Sequence, residues 1–254
     1  MKQFSKIVTA ALAVVAFEAS AITIDLTNTS GRYASERNYS EDGLNLTVTG
    51  YTGGYVDSRF FNWEFGDDIH RESVGAFGQA GLGVERKRSP NHAADNKWPN
   101  FDMFLFSFDQ AVTFESLSIG WHHNDSDMSV FAYTGTGNAT DTFAGNKWDQ
   151  ALATDWSGGH YLNVAQRGNQ VDVNPMEIAS TSWLIGTQLW SINNVFTDGT
   201  PNQGATGTDY VKLKSITVSK AHSVPEIDAS QSGIALGLIA AFFALIRERR
   251  KRIA

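Results

Sequence analysis

The chain contains no cysteine. A thiol nucleophile, a thiolate zinc site and an iron–sulfur cluster are therefore excluded, and any folded domain must hold together without disulfides. No glycine- or proline-rich linker divides residues 22–221, and no internal repeat runs through them. Basic residues are the minority there, 13 against 23 acidic, a formal charge of −10. That balance argues against a nucleic-acid partner, whose phosphates call for a basic face. It suits a soluble exported domain, or one that holds cations. No Walker loop, dinucleotide fingerprint or His-Glu-x-x-His motif occurs, and Ser157-Gly158-Gly159-His160 lacks the Gly-x-Ser-x-Gly frame of a nucleophile elbow.

The two ends are built differently from the middle. Met1 to Ala21 has Lys2 and Lys6 in front, an apolar run from Ile7 to Phe17, and Ala19 and Ala21 around Ser20. This is the basic, apolar and A-x-A order of a secretory signal, and the spacing predicts cleavage after Ala21 by the secretion machinery that follows the translocon. The apolar run is too short to cross a bilayer, which takes about 20 residues. The remaining chain from Ile22 to Ala221 is long enough for one sizeable core without a staple.

The last thirty residues carry the strongest signal. Val224-Pro225-Glu226-Ile227-Asp228 comes first, then a polar bridge, then an apolar span within 229–246. Arg247, Arg249, Arg250, Lys251 and Arg252 follow it. Pro225 fixes its own φ and pushes Val224 to an extended conformation, so the segment can enter a processing cleft as a strand. The span is marginal for crossing and suits a thin membrane or snorkelling flanks. The five basic residues hold the extreme C-terminus in the cytoplasm, which leaves the Pro-Glu motif on the outer side of the inner membrane.

This order resembles the PEP-CTERM sorting tails that exosortases process, and most closely their variant with the signature Val-Pro-Glu-Ile-Asp. Ile227 stands where the commonest form has a second proline. The resemblance implies that a transpeptidase-like membrane enzyme, an exosortase, cuts near Val224–Asp228. The product would then be released or passed to the surface or matrix of a Gram-negative bacterium that makes exopolysaccharide. The inner membrane would hold the precursor through the C-terminal helix.

The middle reads as all-β. Leu44 to Thr49 alternates apolar and polar with period two, and Phe101 to Phe108 is apolar except at Asp102 and Ser107, as in a central buried strand. Val112–Ile119, Met128–Tyr133, Ser182–Trp190 and Tyr210–Val218 are further strands, the last with a slip at Ser215 that a bulge would explain. Short strands separated by Gly, Asn, Asp and Ser clusters predict an antiparallel two-sheet sandwich, jelly-roll-like, over residues 22–221. Segments between Gly75 and Gly135, among them Gly81–Val84, Phe101–Asp109, Ile119–Trp121 and Asp125–Tyr133, resemble the globular part of exosortase-dependent surface proteins, as does Thr208–Leu213. That resemblance implies a surface role and no particular activity.

Three sets of residues are candidates for chemistry. Asp125 and Asp127 share a face of an extended segment, and hard carboxylate oxygens suit Ca2+, with Asp95, Asp102 or Asp209 able to add more. The alternative is a solvated turn rich in Asn and Asp. His122 and His123 are adjacent and on a strand would point to opposite faces. Trp98, Trp148 and Trp156 lie in polar stretches and would serve as sugar-stacking platforms, whereas Trp121, Trp183 and Trp190 sit at strand positions suited to the core. Asp67-Asp68 near His70, and Glu64 near Trp63, are candidates for glycosidase carboxylates, which stand about 5 Å apart in retaining enzymes and farther apart in inverting ones. The expectation is a noncatalytic surface or matrix protein without an obligatory cofactor. The rivals are a carbohydrate-binding module for exopolysaccharide, Ca2+-assisted, and a polysaccharide-active enzyme.

Overall fold

The structure is a computed structural model and describes residues 20–29, 32–57, 63–85, 92–165, 171–189, 196–197, 208–221 and 249. The chain divides into two units, residues 1–221 and 222–254. The first unit is all-β. Its strands are Ala21–Asp25 (β1), Tyr33–Ala34 (β2), Glu36–Glu41 (β3), Leu44–Gly53 (β4), Tyr55–Asp57 (β5), Trp63–Phe65 (β6), His70–Ala76 (β7), Leu82–Glu85 (β8) and Ala94–Asp95 (β9). They continue with Phe101–His123 (β10), Met128–Tyr133 (β11), Trp156–Tyr161 (β12), Ala179–Thr187 (β13), Phe196–Thr197 (β14) and Tyr210–Lys220 (β15). A four-residue helix, Trp148–Ala151 (α1), and two 3-10 turns interrupt them.

The alternation seen in the sequence is the alternation of burial. In β1, Ile22 and Ile24 are buried between exposed neighbours, and in β4 Leu44, Leu46 and Val48 point inward. Phe101 to Phe106 is buried on both sides. Phe104, Phe106 and Phe108 join one apolar cluster, while Phe101, Met103 and Leu105 join a second on the opposite face. The first cluster unites β1, β15 and the second half of β10 with β4, β11, β13 and the first half of β10. The second is roofed by Phe143, Trp148, Ala151 and Leu152 from the segment around α1.

The strands do not separate into two hydrogen-bonded sheets as the sequence predicts. Thirteen of them form one sheet in the order β1-β15-β8-β7-β4-β10-β13-β11-β12-β14, with β2, β3 and β9 attached at β7, β4 and β15; only β5 and β6 stand apart. The reason is β10. Phe101–Phe108 and Val112–Ile119, expected as two strands, are one strand, because nothing in Asp109-Gln110-Ala111 forces a turn. Its first half pairs with β4 on one side and β13 on the other. Its second half, from Val112, pairs with β15. Extra residues at Glu115 and Gly120 on β10 and at Lys214 on β15 mark register shifts that bend and twist this ladder. The shift at Lys214 is the slip read beside Ser215. β10 thus passes from the part of the sheet built on β4 and β13 to the part built on β15.

Most of the predicted signal peptide, the residues before Ser20 with Ala19 among them, lies outside the described residues, and Ala21 opens β1 opposite Ser219. Cleavage at the predicted site after Ala21 would remove one of the five β1–β15 pairs. The sorting motif Val224–Asp228, the predicted membrane helix and the basic residues Arg247 and Arg250–Arg252 also lie outside; Arg249 is helical and exposed. Among the described residues no helix is long and apolar enough to cross a membrane.

Candidate functional site

The acidic residues converge where β10 ends. After His123 the chain turns at Asn124, whose φ of 67° is the left-handed conformation that Asn tolerates. The Asn124 side-chain amide donates to the carbonyl of Thr208, which ties the turn to the segment leading into β15. Asp125 and Asp127 follow before β11. Asp127 is fixed on two sides: its Oδ1 accepts from the Asn163 amide at 2.8 Å and its carbonyl from the Gln188 amide at 2.9 Å. Asp209 is fixed by Asn96, which donates through Nδ2 to Asp209 Oδ2 at 3.0 Å and accepts at Oδ1 from the Asp209 amide at 2.7 Å.

These anchors bring one carboxylate oxygen from each of Asp125, Asp127 and Asp209 within 4.8 Å of one another. Asp127 and Asp209 are buried and Asp125 is half-buried. Burial, then the adjoining Asp125 carboxyl and the charge of Asp127, push the Asp209 carboxyl up to about 9, against a smaller opposing effect of the Asn96 bond. Three carboxylates this close and this dry are not all ionised without a positive partner. A proton or a hard cation meets that need, and all-oxygen donors are those of Ca2+. Asp125 Oδ1 and Gln188 Oε1 are also buried without a hydrogen-bond partner among the described residues.

Of the acidic residues named as further ligands, Asp209 joins the pair. Asp95 and Asp102 are buried nearby in sequence but bond elsewhere: the Asp95 amide donates to Asp102 Oδ2 at 3.3 Å and Asp95 Oδ1 accepts from the Lys97 amide at 3.0 Å. His122 and His123 both belong to β10, on alternate faces, and neither joins the acidic group. Asp209 stands out in sequence only as the residue before a strand, and nothing local ties it to position 125, 84 residues earlier.

The tryptophans divide differently from the sequence reading. Trp98 is 56% exposed, as expected of a stacking platform. Trp148 is not a platform: it is fully buried, and its indole N–H donates to the Phe101 carbonyl at 2.9 Å. Its polar neighbours mislead because α1 is only one turn long, so a single residue can point inward from a polar stretch. Trp156 is half-buried, stacked on Phe143 and bonded through Nε1 to Thr142 Oγ1 at 3.1 Å. Trp183 is core, whereas Trp121 is half-buried on an outward face, and Trp190 lies outside the described residues. Trp63, 62% exposed, is an aromatic the sequence reading missed. It lies two residues from Phe65 on β6 and so on the same side, and the Phe65 and Trp98 rings are 6.0 Å apart.

The carboxylates imagined for glycoside cleavage are engaged structurally. Buried Lys147 lies 3.6 Å from Glu64 and 3.2 Å from Asp68, and Asp67 accepts from Asn100 at 2.9 Å. Ser129 and His160 bond at 2.8 Å across the β11–β12 ladder, but both are buried and the Ser129 oxygen also accepts from the Leu189 amide. A recess of about 600 Å3 lies elsewhere, over Glu115 and Asp172, away from the three carboxylates.

The model of the VPEID-CTERM protein sorting domain matches residues 224–254. The chain carries this sorting signal at its C-terminal end. The match covers the Val-Pro-Glu-Ile-Asp motif, the apolar span and the basic cluster, and does not extend into the β domain. A VPEID-CTERM signal implies an exported protein processed by an exosortase. No curated protein and no solved structure matches the chain.

Proposed function

We propose that this protein is a noncatalytic component of the cell surface or extracellular matrix. It is exported through the translocon, held briefly in the inner membrane by residues 229–246, and freed or transferred when an exosortase acts at Val224–Asp228. The observation that carries this reading is the VPEID-CTERM match at residues 224–254. The test is removal of the host's exosortase. The chain should then accumulate in the membrane fraction with Arg247–Arg252 still attached. Unchanged release from such cells contradicts the reading.

The β domain is read as a Ca2+-stabilised module, with Asp125, Asp127 and Asp209 as the carboxylate ligands. Their convergence within 4.8 Å supports this. In this reading Ca2+ is structural: it adds to the β10–β15 ladder, which ends at His123 opposite Tyr210, and to the hydrogen bonds from Asn96 and Asn124.

A second reading is glycan binding, favoured by the exposure of Trp63, two residues from Phe65 on β6, and of Trp98, whose ring is 6.0 Å from that of Phe65. Phe65 is stacked on Tyr55, which in turn packs on Phe101, so the rings stand on the core. Indole faces held this way suit the C–H face of a pyranose ring. Loss of neutral-oligosaccharide binding in Trp98→Ala supports it, and unchanged binding removes it.

A further inference from the structure

The outward face of the β10–β15 ladder has the opposite character to the acidic cluster beyond its His123–Tyr210 end. Trp121 pairs with Lys212 and His123 with Tyr210 across the two strands. Val211 and Leu213 alternate with these residues and are buried in the core, so Lys212 points out. The rings form a continuous row. Trp121 and His123 stack with an interplanar angle of 11°, and His123 lies 5.8 Å from Tyr210. On the other side, Lys212 Nζ sits 4.4 Å from the Phe77 ring centroid and 4.5 Å from that of Trp121. Phe77 stacks on His92 and meets Tyr33 edge-on, and the Arg32 guanidinium lies 5.2 Å over Tyr33. Gly75 makes this possible: a Cβ there would come within 2.7 Å of two Phe77 ring atoms.

A guanidinium and an ammonium are thus set among rings, in a domain whose formal charge is −10. Among the described residues no carboxylate pairs with Arg32 or Lys212. The Lys212 ammonium is held below its ordinary value, first by burial and then by the charge of Arg32. Cation–π contacts partly offset that burial, and an anion placed between the two cations would relieve the rest. Tyr33 is 40% exposed and Arg32 is exposed, so a ligand can reach both.

We propose that this face binds an anionic polysaccharide of the uronic-acid class. Such a chain alternates what the face alternates: a pyranose ring to lie on Tyr33 or Trp121, and a carboxylate for Arg32 or Lys212. Arg32 can take the carboxylate through two parallel N–H donors, while Lys212 acts as a fixed point charge. A nucleic acid is the poorer occupant, because its dense phosphates would meet the acidic remainder of the domain. The ligand class rests on the glycan-binding reading, but the site is separate from Trp63 and Trp98 and is specific for anions.

The experiment is titration of the full-length chain in detergent with a soluble oligogalacturonate, followed by tryptophan fluorescence and calorimetry. A neutral dextran oligosaccharide and single-stranded DNA are the comparison probes. Wild type should bind oligogalacturonate, with an affinity that falls as salt rises. Arg32→Gln and Lys212→Met should each weaken it about tenfold, the factor that corresponds to 1.4 kcal/mol. Trp98→Ala should leave it unchanged. Arg32 is exposed and outside the strands, so Arg32→Gln alone carries the test if Lys212→Met fails to fold. Wild-type affinity in Arg32→Gln, or tighter binding of DNA, overturns the proposal. Loss of oligogalacturonate binding in Trp98→Ala alone overturns this site while leaving a glycan-binding module in place. No binding of any saccharide by the wild type overturns both.

Discussion

The sorting tail and the acidic cluster are opposite kinds of site. The tail is a linear string: motif, apolar span and basic cluster follow one another within residues 224–254. The cluster exists only when the chain is folded. Its carboxylates come from positions 125, 127 and 209, and are set in place by Asn96, Asn163 and Gln188 from other segments. A function written in sequence order tolerates loss of the β domain's packing. One assembled from distant strands fails with it.

The sharpest separation of the two regions comes from the core. Trp183 is buried in the larger apolar cluster, 5.3 Å from the Phe114 ring, with its indole N–H on the Ser180 carbonyl at 3.2 Å. Trp183→Ala should cost about 3–5 kcal/mol of stability in chemical denaturation. Apolar substitutions within residues 229–246 should leave the denaturation midpoint of the β domain where it is. A Trp183→Ala chain of wild-type stability would contradict the place of Trp183 in the core.

Next in size is the metal effect. Ca2+ at about 100 times its dissociation constant should stabilise the folded chain by about 2.7 kcal/mol. Asp127→Asn and Asp209→Asn should each abolish that increment, measured as the shift in melting midpoint between Ca2+ and chelator. A wild-type midpoint that ignores millimolar Ca2+ removes the ion from the account.

The cluster also sets a pH dependence that the tail has no means to share. The Asp209 carboxyl keeps its proton up to about pH 9 in the folded chain, against an ordinary value of 3.8 once unfolded. Between those values the folded state binds more protons, so stability falls as pH rises through the window. In chelator, the melting midpoint should therefore drop from pH 5 to pH 8, and Asp209→Asn should flatten the slope. A rise in midpoint over that range in the wild type would contradict the geometry.

How much of this was legible in the sequence follows from distance along the chain. Leu44–Val48 and Phe101–Phe106 declare themselves because strand burial has a period of two, or none when both faces are covered. The slip beside Ser215 was visible because a bulge breaks that period locally. The fusion of 101–123 into one strand was hidden, since the irregular stretch between Ser107 and Val112, where the partner changes, reads in sequence like a turn at Asp109-Gln110-Ala111. Asp125 and Asp127 could be paired from their spacing, whereas Asp209 stood only as one of three further acids. Trp148 and Trp121 were read the wrong way round because neighbours in sequence do not report which face a short element presents.

The smallest effect should be at the surface. Arg71 and Glu36 form an ion pair at 2.9 Å with both side chains nearly half exposed. Glu36→Gln should change stability by less than about 1 kcal/mol. A larger loss would show that edge strand β3 depends on charge rather than on its pairing with β4.

The central claim is that residues 224–228 direct processing and the folded domain is the cargo. It is tested most directly by mass spectrometry of the surface and membrane fractions of cells making wild type or the Pro225→Ala/Glu226→Ala double variant. The wild-type surface product should lack Arg247–Arg252 and end near the motif. The variant should lose its signal peptide normally yet stay in the inner membrane with the basic cluster attached. Release of the variant with the wild-type C-terminus, or a wild-type surface product that still carries residues 247–252, would contradict the account.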